Sequence, residues 1–175
     1  MRASRGWFVS KTEAWLLTLL GALAVAVTFK PPIPQAFGSA QPMRSLERLR
    51  EPFRTRARAM LARLDAQGVP YFVHETDRNE ARARMLTMRG TGIVKSQHRL
   101  GLAMDVLPAR GSWPNASDPF WGALAEAALA EGLQHGVRHR GTVDLPHVQL
   151  LEPSRDGEVW AAYESGRLDA LLATV

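Results

Sequence analysis

The chain has 175 residues, 46% of them hydrophobic, with no cysteine and a formal charge of +5. That length holds one domain plus an appendage, and the composition supports a packed core. Disulfides, thiolate metal sites and a lipoprotein anchor are excluded. So is a nucleic-acid-binding face: residues 1–40 carry +3, residues 41–65 carry +4 and the rest sums to −2, which confines the basicity to a leader and one helix.

In chain order, "AWLLTLLGALAVAVTF" (14–29) is apolar throughout and follows a basic start. It reads as a hydrophobic helix serving as signal peptide or signal anchor over 1–29, shorter than the roughly 20 residues that span a bilayer comfortably. Ala24-Val25-Ala26 and Gly38-Ser39-Ala40 are small-residue cleavage candidates. "KPPIPQAFGSAQP" (30–42) is an extended proline-rich linker, which leaves 43–175 as the folded domain.

Within that domain, 51–68 predicts a helix with Pro52 in its first turn and Gly68 as its stop. Phe53, Ala57, Met60, Leu61 and Leu64 form its apolar stripe, and its arginines form a solvated face. Residues 70–77 predict a strand, 78–90 a helix closed by Gly90, and 102–108 a strand ended by proline. Residues 118–136 predict an alanine-rich helix with Asp118 as N-cap. Residues 147–152 predict a further strand and 155–173 a terminal helix. Without βαβ regularity, the fold class is α+β, with a small, mainly antiparallel sheet flanked by helices.

"SQHRLGLAMDV" (96–106) carries the first chemistry. A carboxylate inside an apolar strand is costly unless something positive meets it. On a continuous helix His98 and Asp105 would lie about 10 Å apart along the axis; on a continuous strand, about 23 Å apart on opposite faces. Gly101 can supply the bend that brings them together. Leu102, Met104 and Val106 then point to the core, while Ala103 and Asp105 share the other face. In "VDLPHVQL" (143–150), Pro146 disfavours helix at Leu145, so Asp144 and His147 stand at the entrance to the last strand. His98, Asp105 and His147 make a three-ligand set with a fourth position open to water, the pattern of catalytic zinc. Asp144 is left over to take a proton from that water.

The two blocks, Ser96-x-His98-x-x-Gly101-x-Ala103-x-Asp105 and Asp144-x-Pro146-His147, resemble those of the zinc D-alanyl-D-alanine carboxypeptidases and the L-alanyl-D-glutamate endopeptidases of phage endolysins. The resemblance runs from about Phe53 to Leu151 and includes "ETDRNEARARMLTMRG", which is similar to that family's Thr-x-Arg segment. It implies a hedgehog/DD-peptidase-like fold, zinc on His98, Asp105 and His147, and Asp144 as acid/base. It also implies that Arg78 steadies the substrate oxyanion and that Ser96 contacts substrate. Asp-x-Pro-His, in place of Glu-x-x-His, is more like the endolysin group and implies an endopeptidase acting on peptidoglycan stem peptides. The family's glutamine five residues after the arginine is replaced by Ala83.

The protein is then exported and faces the periplasm or cell wall, tethered to the inner membrane wherever the leader is uncleaved. A D-alanyl-D-alanine carboxypeptidase, a non-catalytic wall-binding module and a phage lysis enzyme are the alternatives. Of the other histidines, His74 reads as a core or edge residue of its strand, and His135 and His139 bracket a solvent-exposed loop. Trp113, Trp121 and Trp160 read as packing residues.

Overall fold

A computed structural model describes residues 41–109, 115–139 and 142–175, with the backbone alone at 138, 139 and 142. The leader, nearly all of the linker and Trp113 lie outside the described residues. Among those described, no helix is long and apolar enough to cross a membrane.

Helix α1 spans Phe53–Ala66, and the five stripe residues are at most 5% exposed. Burying a side chain of leucine size stabilises by about 1.5–3 kcal/mol, so this stripe seats the helix. The opposite face is ion-paired and solvated, as read: Arg54 meets Glu51 at 2.8 Å, and Arg63 reaches Glu131 at 2.5 Å. Such exposed pairs contribute at most about 1 kcal/mol each.

Strands β1 (Tyr71–Glu75), β2 (Ala103–Pro108), β3 (Gln134–His135) and β6 (His147–Gln149) form one antiparallel sheet in the order β1-β2-β6-β3. Leu102, Met104, Val106 and Val148, none of them exposed, join α1 and helix α3 (Phe120–Ala130) in the core. Met104 pairs with Val148 and Asp105 with His147. Alternation along each strand therefore gives one sheet face to the core and turns Asp105 and His147 to the other. Trp121 and Trp160 both pack in the core, the former donating Nε1–H to Asn115 O at 2.8 Å.

Several boundaries differ from expectation. Helix α2 is Glu80–Met88, with Asn79 Oδ1 accepting from Arg82 N at 2.9 Å. The expected helix 118–136 stops at Ala130, because Gly132 takes φ +66° and turns the chain into edge strand β3. The cap position is Pro119 and not Asp118, which stands one residue earlier and accepts from Phe120 N at 3.0 Å. Within the loop expected at 136–141, Arg138–His139 form β4, which pairs antiparallel with β5 (Thr142–Val143). The strand expected at 147–152 ends at Gln149. The terminal helix is two helices, α4 (Asp156–Glu164) and α5 (Leu168–Leu172), parted where Gly166 adopts φ +71°. That break lets Val159, Trp160, Leu168 and Leu172 all reach the core.

Candidate metal centre

His98 sits on a 3-10 turn, Gln97–Leu100, whose cap Ser96 accepts from His98 N through Oγ at 3.3 Å. The ring is 1% exposed. Its Nδ1 lies 2.8 Å from Thr76 O. A carbonyl only accepts, so Nδ1 carries the proton and the Nε2 lone pair faces inward. Arg78 N donates back to His98 O at 3.2 Å, and Thr76 is itself held by Met43 O and Ser45 O. The corner between β1 and α2 thus fixes the imidazole from two sides. Gly101 ends the turn at φ +67°, where a Cβ would lie 2.8 Å from Arg48 O. The bend expected at Gly101 is present, and β2 begins two residues later.

Cross-strand pairing sets the other two groups. Glu75, Asp105 and His147 are successive partners across β1, β2 and β6. His147 Nε2 lies 2.8 Å from Gln149 Oε1, and Gln149 donates its Nε2–H to Leu151 O. That second bond fixes the amide, so His147 carries its proton on Nε2 and aims the Nδ1 lone pair at Asp105.

His98 Nε2, His147 Nδ1 and Asp105 Oδ1 form a triangle with sides of 3.1, 3.1 and 3.2 Å. A near-equilateral triangle has corners of 60°, whereas a hydrogen bond weakens steeply below about 120°. The three contacts therefore cannot all be hydrogen bonds. Tetrahedral zinc with bonds of about 2.0–2.1 Å holds its ligand atoms about 3.3 Å apart. The described residues hold this group of three as one able to take a metal ion. The donor set and its spacing fit a zinc-like cation.

Protons compete for the same lone pairs, and when the imidazoles carry them the three groups shift one another. Burial would raise the Asp105 carboxyl, but His98 and His147 outweigh it and hold the group well below the usual carboxylate range. Burial would lower His147, but its bond to Asp105 and the charges of Asp105 and Asp144 raise it.

These groups open on a cavity of about 560 Å³ that is also lined by Arg78, Ser96 and Asp144. All six residues singled out in the sequence therefore meet at one place, with His98 buried behind the cavity wall. Asp144 N donates to Val137 O at 3.0 Å and His147 N to Asp144 O at 3.2 Å, a turn that keeps Asp144 beside His147. Ser96 both caps the His98 turn and lines the cavity.

Other residues were not evident from sequence. Glu75 is 1% exposed and accepts from Arg78 and Arg82. Burial alone would raise its pKa, yet the two arginines lower it. A glutamate closing the strand "YFVHE" was the available signal, since a buried acid demands cations. For Gln149 the signal was a polar residue two places after His147, hence on the same strand face. His74, read as a core or edge residue, lines the cavity because the β1 register shifts between Val73 and Glu75. His135, read as solvent-exposed, is half-buried and donates from Nε2 to Leu145 O at 2.7 Å.

No protein-family model and no curated protein matches the chain. Among solved structures it is similar to the crystal structure of Serratia marcescens L-Ala D-Glu endopeptidase ChiX, with a TM-score of 0.48 and 25% identity, covering 61% of this chain and 83% of that one. It is also similar to the LdcB LD-carboxypeptidase, whose structure concerns peptidoglycan recognition, with a TM-score of 0.48 and 12% identity, covering 66% of this chain and 64% of that one.

Proposed function

We propose that the chain is an exported zinc peptidase that hydrolyses peptidoglycan stem peptides, of the L-alanyl-D-glutamate endopeptidase type. The observation that carries this reading is the triangle of His98 Nε2, Asp105 Oδ1 and His147 Nδ1 beside a cavity that Asp144 and Arg78 also line.

His98, Asp105 and His147 hold the ion, and the Thr76 carbonyl and the Gln149 amide keep each imidazole in the required tautomer. A zinc ion held there would supply Lewis acidity toward a water and the scissile carbonyl. Asp105 is committed to the ion and cannot also serve as base. Asp144 takes the proton of the attacking water and returns it to the leaving amine. Arg78 meets the negative charge that develops on the carbonyl oxygen, where a pre-placed cation lowers the barrier without reorganisation. Ser96 offers a polar contact to the substrate backbone from the cavity wall. Residues 1–29 direct export and 30–42 link them to the catalytic domain, and the wall peptides outside the membrane are the matching substrate.

The test is mass spectrometry of purified muropeptides digested by the full chain in detergent, with and without a chelator. New L-alanine carboxyl ends, abolished by chelation, are expected. Loss of a single D-alanine would assign a carboxypeptidase instead, and unchanged fragments in both samples would leave a wall-binding module.

A further inference from the structure

The β1 strand breaks its register on β2 between Val73 and Glu75. A bulge of this kind re-aims side chains, and here His74 and Glu75, consecutive in sequence, both line the cavity. Glu75 consequently stands opposite Asp105, at the end of the row that contains His147.

Its carboxylate is divided between two arginines. Oε2 accepts from Arg78 Nη2 at 2.6 Å and from Arg78 Nε at 3.2 Å, while Oε1 accepts from Arg82 Nε. The two donors on one oxygen fix the plane of the Arg78 guanidinium. The same Nη2 lies 3.6 Å from Asp105 Oδ2, which brings the group to the edge of the metal centre. All three side chains are substantially buried: Glu75 is 1%, Arg78 9% and Arg82 12% exposed at the side chain. One carboxylate shared by two guanidinium groups cannot neutralise both, although Asp105 also faces Arg78 at 3.6 Å. Arg78 is therefore tethered by Glu75 without being neutralised by it.

We propose that Glu75 is a positioning residue of this site: it sets the guanidinium of Arg78 where the oxyanion develops, and Arg82 takes its other oxygen so that Arg78 keeps its charge. This rests on the peptidase reading and adds to it a residue that acts through Arg78. Preorganisation of such a cation acts on the transition state more than on the bound ground state.

The test uses the zinc-loaded full chain in detergent and an L-Ala–D-Glu stem peptide. Glu75→Gln is expected to lower kcat by at least about tenfold with KM changed by less than about threefold, at unaltered zinc content. Affinity for a tetrahedral phosphinate analogue of the peptide should fall with kcat/KM, and affinity for the product peptide should not. In an Arg78→Ala background the same substitution should change kcat no further, because Glu75 acts only through Arg78. Glu75→Asp keeps the charge and shortens the reach, so it should also lower kcat; it decides the matter if Glu75→Gln does not fold. A folded, zinc-loaded Glu75→Gln chain with normal kcat overturns the proposal, as does an equal loss with and without Arg78. A wild-type chain that cleaves no stem peptide removes the peptidase reading and this one with it, an outcome distinct from an active wild type matched by its variant.

Discussion

Asp105 and His147 are direct partners across β2 and β6, with Oδ1 and Nδ1 3.2 Å apart. Register alone brings these two atoms together, and the bend at Gly101 delivers His98 Nε2 as the third. Because both imidazoles can present lone pairs, the cluster holds three acceptors that one cation can satisfy together. His147→Ala is therefore expected to drop bound zinc from about one to about none per chain, since two remaining ligands cannot retain it. Metal analysis after dialysis checks this. Chelation of the wild type should lower the Tm, because an ion bound by the native state alone stabilises it by mass action.

Asp144 is the group whose loss should separate chemistry from metal binding. It lines the cavity but is no member of the ligand triangle. Asp144→Ala should keep one zinc per chain while kcat falls by about 10²–10⁴-fold, the usual contribution of a positioned general base. Turnover of a stem peptide near the wild-type rate would rule out the proton-acceptor role.

Much of this centre was legible in the sequence because short spacing encodes it. The α1 stripe at helical period and the His98–Gly101–Asp105 bend follow from local geometry, and the structure shows both. What sequence did not reveal depends on side-chain pairings that no motif or periodicity marks. Gln149 matters only because Leu151 O holds its amide, and Glu75 only because α2 brings Arg82 back to it. The helix ends at Gly132 and Gly166 were missed for a different reason: alanine-rich and mixed segments continue a helical pattern past the residue whose left-handed backbone stops it.

Gln149 yields a prediction of its own. Its Oε1 accepts from His147 Nε2 at 2.8 Å, which places the proton on Nε2 and turns Nδ1 to Asp105. Gln149→Leu preserves side-chain bulk but removes that acceptor, so zinc affinity should weaken by about 10–100-fold, as for other partners that orient metal-bound histidines. Competition with a fluorescent chelator reads the change. Unaltered affinity would show that packing alone orients the ring.

Gly101 should tolerate no side chain. Its φ of +67° costs an L-residue about 1–2 kcal/mol, and an added Cβ would sit 2.8 Å from the backbone oxygen of Arg48. That oxygen cannot swing away as a side-chain tip could. Gly101→Ala should thus lower unfolding free energy by more than the conformational cost alone, and weaken zinc binding by shifting His98 relative to Asp105. Denaturant titration and metal analysis measure the two effects.

The turn bearing Asp144 should loosen in mild acid through His135. Burial, the larger effect, pushes the His135 pKa below 6.5, and its Nε2–H bond to Leu145 O only partly opposes this. The folded state therefore binds the proton less readily than the unfolded state. Stability from this group is complete above pH 6.5 and declines as pH falls through that value toward the folded pKa, since there the unfolded chain takes up the proton first. His135→Gln can still donate to the Leu145 carbonyl but does not titrate. In the zinc-loaded protein, the variant should show a shallower loss of Tm than wild type between about pH 6.5 and 5, with little difference at pH 8. Parallel curves for the two proteins would mean that His135 does not govern this acid sensitivity.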